Sequence, residues 1–149
     1  MQVKAALLAT SLFAFSTNAS ETASIEYYKD LITQQNPTLK WDAKNSAKPS
    51  LSSFYFATDT GVSVVSNIER KGDFFASADA AIEHCATIMS TLALRPNDVK
   101  VKTDIKQLII RSFDKNGEKV IGRFYGYEFS SFTLDMATHY ALTCMIHKI

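Results

Sequence analysis

Apolar positions recur at helical spacing in two segments of the chain and at alternating spacing in several others. From Ser24, the residues Ile25, Tyr28, Leu31 and Ile32 mark one face of a helix. Asn36-Pro37 stops it, because the residue before a proline avoids the helical region. The spacing therefore predicts a helix over 24–35. Ala78, Ala81, Ile82, Cys85, Ile88, Met89 and Leu92 form a longer apolar stripe, which predicts a helix over 78–93 that aims Cys85 at the core. Ser77 is its expected cap, Asp79 lies in the first turn, and Arg95-Pro96 ends it. Between the two helices, 37–50 is rich in Lys, Asn, Ser and Pro and reads as an irregular connection with Trp41 as its one large anchor.

The remaining segments carry strand grammar. Residues 51–58 and 62–70 are aromatic and β-branched, and Asp59-Thr60-Gly61 separates them as a hairpin. Val99, Val101, Thr103 and Ile105 alternate with Lys100, Lys102 and Asp104, and 106–113 is a further β-rich run, so two strands are expected there. Asn116-Gly117 is the strongest short hairpin signal in the chain, and 118–129 then reads as one long strand. In 132–147, Phe132, Leu134, Met136, Tyr140, Leu142, Cys144 and Ile146 fall at period two, while Leu134, Ala137, Ala141, Cys144 and Met145 also suit a helix. The larger set decides for strand, and that register turns Cys144 toward the helix bearing Cys85. The expected fold is a single α+β domain: a curved antiparallel sheet of about six strands, one central helix packed on it and an N-terminal helix.

The start of the chain changes the compartment. Met1 to Lys4 is short and basic, Ala5 to Phe15 is apolar and uncharged, and Ser16 to Ala19 is small and polar. That order reads as a secretory signal peptide over 1–19, too short for the roughly 20 apolar residues of a membrane span. Cleavage after Ala19 would leave a domain of roughly 130 residues over 20–149, enough for one core, in the periplasm. In an oxidising space Cys85 and Cys144 are expected to pair, closing a loop across more than a third of the chain.

Composition adds exclusions rather than a partner. With 46% hydrophobic and 21% charged residues the 149-residue chain is neither disordered nor a polytopic membrane protein. Sixteen Lys and Arg against fifteen Asp and Glu give a formal charge of +1, which supplies no basic field for nucleic acid.

No spacing amounts to a catalytic or metal motif. His139 and His147 lie eight apart on one strand, roughly 26 Å at about 3.3 Å per residue, too far for a shared metal. Glu83-His84 beside Cys85 invites a dyad, but neighbours on a helix point about 100° apart and the cysteine is expected to be oxidised. The acidic pairs Glu26/Asp30 and Asp98/Asp104 have no apolar pocket to separate their acidities, and the acidic spacing of 114–118 does not match a calcium loop. GxSxG, HExxH, P-loop and GxGxxG patterns do not occur in the sequence. The expectation is a chain that is not an enzyme and takes no cofactor or metal. One surface stands out: Arg123, Tyr125 and Tyr127 alternate on one face of 118–129, with Lys119 near the hairpin tip, and Arg and Tyr are enriched in binding hot spots. These four and Trp41 are the candidate partner-binding residues.

The run FYFATDTGVSVVSNIER from Phe54, the stretch HCATIMS from His84 and the terminal TCMIHKI, set in an exported chain of this size, resemble the periplasmic immunity proteins of the type VI secretion system. Within that family the resemblance is to the kind paired with a VgrG spike whose C-terminal extension cleaves peptidoglycan. It implies a homodimeric inhibitor that plugs the glycan cleft of a lysozyme-like toxin domain, and it carries over no inhibitory residue. A periplasmic inhibitor of host lysozyme and a small-ligand carrier are the alternative readings.

Overall fold

The computed structural model describes the backbone of residues 17–149 and the side chains of 24–149. Of the expected leader over 1–19, residues 1–16 lie outside the described residues, and 17–19 fall at the start of the first helix. Three helices and six strands follow in the order α1 (Thr17–Gln35), β1 (Ser46–Ala47), β2 (Ser53–Ala57), β3 (Gly61–Glu69), α2 (Phe74–Leu92), α3 (Val99–Phe113), β4 (Val120–Phe124), β5 (Tyr127–Asp135) and β6 (His139–Lys148). The strands form one antiparallel sheet in the order β1-β2-β3-β6-β5-β4, with the helices on one face. The fold class is α+β. No helix among the described residues is long and apolar enough to cross a membrane.

The core is the layer between α2 and the middle of the sheet. Ala78, Ala81, Ile82, Cys85, Ile88, Met89 and Leu92 are all buried, as the stripe predicts. They meet Val62, Val64 and Ile68 of β3, Leu142, Cys144 and Ile146 of β6, and Phe129 of β5. Burying each large aliphatic side chain contributes about 1.5–3 kcal/mol. A disulfide joins Cys85 to Cys144, and both residues are 0% exposed. It ties the middle of the central helix to the strand flanked by β3 and β5. The terminal segment is a strand, as its period-two set predicts, but only from His139; Phe132 and Leu134 belong to β5, and a turn at 136–138 separates them.

Several boundaries differ, for identifiable reasons. The expected cap of α2 at Ser77 is displaced by Asp73, whose Oδ1 accepts from the Ala76 amide at 3.2 Å. Ser77 lies within the helix, where its hydroxyl donates to the Phe74 carbonyl and accepts from the Glu69 amide, each at 3.0 Å. At the other end Leu94 takes a left-handed φ of 56° and the Arg95 amide donates to the Ser90 carbonyl at 2.8 Å, so the helix closes before Arg95-Pro96.

The largest difference is 99–113, expected as two strands and found as α3. Of the alternating set only Val101 and Ile105 are buried, and Ile109 continues them four residues on, so the apolar period is that of a helix. Asp98 caps it, accepting from the Val101 amide at 3.1 Å, and Lys100 pairs with Asp104 one turn along at 2.9 Å. Val99, 76% exposed, belongs to no core. Asn116-Gly117 accordingly turns a helix into β4 instead of closing a hairpin: Asn116 Oδ1 accepts from the Asp135 amide at 3.0 Å and the Gly117 amide donates to Thr133 O at 2.9 Å. The expected long strand over 118–129 is two strands, β4 and the start of β5.

The connection at 37–50 contains β1. Trp41, expected as a contact residue, bridges the outer edge of β1 at Ala47. Its indole N–H donates to Thr33 Oγ1 at 3.1 Å, fastening the loop to α1. One border of the sheet is thereby covered by the chain itself.

Replacing both cysteines, Cys85→Ala with Cys144→Ala, frees a loop with a sequence separation of 59 in the unfolded chain. The expected loss is about 4 kcal/mol in urea unfolding of the oxidised protein, and reductant should lower the wild-type midpoint but not the variant's.

Candidate partner-binding hairpin

The corner built by β4, β5 and the start of α3 carries the exposed chemistry of the molecule. Phe124 pairs with Tyr127, so Tyr125 and Gly126 are the whole loop between the two strands. Both have positive φ, 49° and 84°, which is the type I′ turn that matches the twist of a hairpin. Gly126 suits its place, with open space where a Cβ would stand. Tyr125 does not: an aromatic residue in the left-handed region costs about 1–3 kcal/mol, where asparagine would sit comfortably. Its ring is half exposed at the tip, and the Arg95 guanidinium lies 4.1 Å above it.

Other groups gather around it. Lys100, Val101, Asp104, Arg123, Phe124 and Tyr125 line a depression of about 320 Å³ between α3 and the hairpin. Arg123 is 73% exposed by its side chain and has Glu128 Oε2 at 3.7 Å on the neighbouring strand. His147 Nε2 reaches the other oxygen of the same carboxylate at 3.7 Å, so Glu128 lies between Arg123 and His147. Asp104 answers Lys100. Arg95, Lys100 and Arg123 thus surround a tyrosine that the turn holds outward. Gly122, in the middle of β4, makes the corner possible: a Cβ there would come within 2.6 Å of Leu108 Cδ1 on α3.

Of the five residues expected to bind a partner, Arg123 and Tyr125 share this corner and Lys119 stands exposed just before β4. Tyr127 does not join them. The two-residue turn resets the alternation, so Tyr127 opens β5 facing the core at 9% exposure. Burial, then its hydrogen bond with Tyr28, pushes the phenol's pKa up. Trp41 is the edge cover described above. Arg95 and Lys100 were missed in the sequence because their neighbourhood exists only once 99–113 is helical.

The other candidate chemistry resolves into structure. Cys85 is bonded to Cys144, which removes any thiol from the Glu83-His84-Cys85 run. Among the described residues no group of three or more His, Cys, Asp or Glu side chains converges to hold a metal ion. An open cavity of about 690 Å³ lies at the base of the hairpin, lined by Tyr27, Tyr28, Tyr127, Asp59 and Lys148 among others. The space between α2 and the sheet is filled by Ile82, Ile88, Met89 and Leu92. Among the described residues no helix covers the opposite face of the sheet, where Phe54 and Phe56 stack and Val65, Phe132, Leu134 and Met145 share their side by alternation.

No protein-family model, curated protein or solved structure matches this chain.

One titration is set by the fold. Tyr55, buried, shares a hydrogen bond of 2.8 Å between its hydroxyl and His84 Nδ1. Burial lowers the pKa of His84, against the opposing pull of Glu83. Below about pH 6.5 the unfolded chain therefore binds the proton before the folded one does, and stability falls with pH until the folded His84 titrates too. The Tm is expected to drop between pH 7 and pH 5, and His84→Gln should make that drop smaller.

Proposed function

We propose that this chain is a periplasmic immunity protein that binds and occludes the cleft of a peptidoglycan-degrading type VI secretion effector, protecting the producing cell. The reading rests on the resemblance of its sequence runs to that family and on one observation, the strained exposed tyrosine at the tip of the β4–β5 hairpin. Strain at a non-glycine turn residue is retained where the side chain is needed outward. Tyr125 offers a broad ring with a hydroxyl, and Arg95, Lys100 and Arg123 around it complement a cleft whose working groups are paired carboxylates. The mode of action is steric blockade; no step of chemistry is assigned to the chain.

Lasting protection needs nanomolar binding, about −12 kcal/mol, within reach of a standard interface of roughly 1,600 Å² with a few buried anchors. A second copy, which the resemblance implies, is assigned to the bare sheet face. Phe56→Glu should then shift a dimer to monomer in sedimentation, and an unchanged sedimentation coefficient would remove the dimer from the proposal. A host lysozyme inhibitor would use the same hairpin and differ only in its target.

Tyr125→Asn separates the two roles of the tip residue, since asparagine keeps the turn and discards the ring. With a peptidoglycan-cleaving VgrG extension directed to the periplasm, wild-type protein is expected to protect cells and to bind with nanomolar Kd. Tyr125→Asn and Arg123→Ala should each weaken binding at least tenfold, about 1.4 kcal/mol, while neither loses more than about 1 kcal/mol of stability. Wild-type affinity in both variants would take the hairpin out of the interface; failure of wild-type protein to protect or bind would end the reading.

A further inference from the structure

The two borders of the sheet are unequal. At β1, a strand of two residues is covered by the chain's own Trp41 loop. At β4, five residues run along the border with no strand beyond them among the described residues. The hairpin fixes which of their backbone groups are committed. A two-residue type I′ loop is closed by a hydrogen-bonded pair, here Phe124 with Tyr127, and bonded pairs then alternate with unbonded ones. Gly122 with Phe129 and Val120 with Ser131 are bonded pairs, whereas Ile121 opposite Ser130 and Arg123 opposite Glu128 are not. The N–H and C=O groups of Ile121 and Arg123 therefore point away from β5 into the open border. Among the described residues, no loop or side-chain hydrogen bond reaches them.

Natural sheets blunt such borders with prolines, bulges, very short strands or a covering segment, and among the described residues β4 has none of these. Its charges do not protect it fully either. Arg123 leans to Glu128, which also meets His147. Lys119 forms no ion pair among the described residues, and Ile121 between the two cations is 52% exposed. The border thus offers two N–H and two C=O groups, one apolar side chain and two positive charges four residues apart.

We propose that the β4 border is a strand-addition site that takes an extended acidic segment of a partner protein, with carboxylates at positions i and i+4 and an apolar residue at i+2. The carboxylates face Lys119 and Arg123 and the apolar residue faces Ile121, because directly opposite side chains in adjacent strands meet. A second copy is the poorer occupant: pairing β4 with itself brings two Lys119 and two Arg123 together, with each Glu128 already shared. The inference deepens the immunity reading by stating how the hairpin would be met, and its peptide-binding test does not require the toxin.

The probe is the blocked peptide acetyl-Thr-Glu-Thr-Val-Thr-Glu-Thr-amide, titrated to about 1 mM against the oxidised 15N-labelled protein, beside the same peptide with lysine for glutamate. The acidic peptide should shift the amides of Ile121 and Arg123 and slow their hydrogen exchange, with at least tenfold weaker response to the lysine peptide. Ile121→Pro removes an outward N–H and no hairpin bond, so it should abolish the response while the spectrum of the core persists. Should that variant not fold, Lys119→Glu with Arg123→Gln must erase the preference for the acidic peptide. Unshifted β4 amides, equal response to both peptides, or a dimer that Ile121→Pro dissociates would each overturn the proposal. Protection of cells that is intact in Ile121→Pro would overturn it while leaving the immunity reading standing; peptide binding without protection would do the reverse.

Discussion

The bond between Cys85 and Cys144 is the constraint through which the other parts of the molecule are placed. It joins the middle of α2 to β6, and β6 holds β3 on one side and β5 on the other. Fixing that contact sets the distance of the helical layer from the sheet, and with it the seat of Ile88, Met89 and Leu92 against Val64, Leu142 and Ile146. The hydrophobic layer supplies most of the stabilisation, while the cross-link limits how far the unfolded chain can spread. Outward from this centre the packing thins. β4 lies at the margin of the sheet, supported by β5 and by α3, and there the chain can carry strain and exposed charge without disturbing the core.

That gradient explains where candidate function sits. Tyr125 is costly in its turn and Arg123 is largely solvated, so neither serves the fold well, and both belong to the proposed partner surface. The other border shows what the same chain does with an edge it does not use. Trp41 bridges β1 at Ala47 and is tied to α1 by its indole. The asymmetry is a property of the chain, since both edges belong to the same sheet.

Legibility in the sequence followed how many residues carried each signal. The stripe of α2 has seven buried members, and no single substitution of the pattern would hide it. The strands β2 and β3 were plain for the same reason, with aromatic and β-branched residues on both sides of a glycine turn. The segment 99–113 was misread because lysines at 100 and 102 simulate a strand's polar face, and only burial shows that Val101, Ile105 and Ile109 are the true period. Turn chemistry misled twice. Asn116-Gly117 has the composition of a hairpin and follows a helix, while the real hairpin turns at Tyr125-Gly126, whose first residue no propensity would choose. From that one displaced turn came the misplacement of Tyr127, which parity put outside and the fold puts in the core. Two of the surrounding cations, Arg95 and Lys100, were invisible until the helix was known.

The proposed reading places the contact with a cell-wall-cleaving effector at the β4–β5 corner. Hydrogen–deuterium exchange of the oxidised protein, with and without the peptidoglycan-cleaving extension of a VgrG spike, tests it most directly. Protection concentrated at 119–125, with the facing segment around Arg95 to Lys100, is the predicted result. Protection on α1 or across the bare sheet face alone, or no difference between the two states, would contradict it.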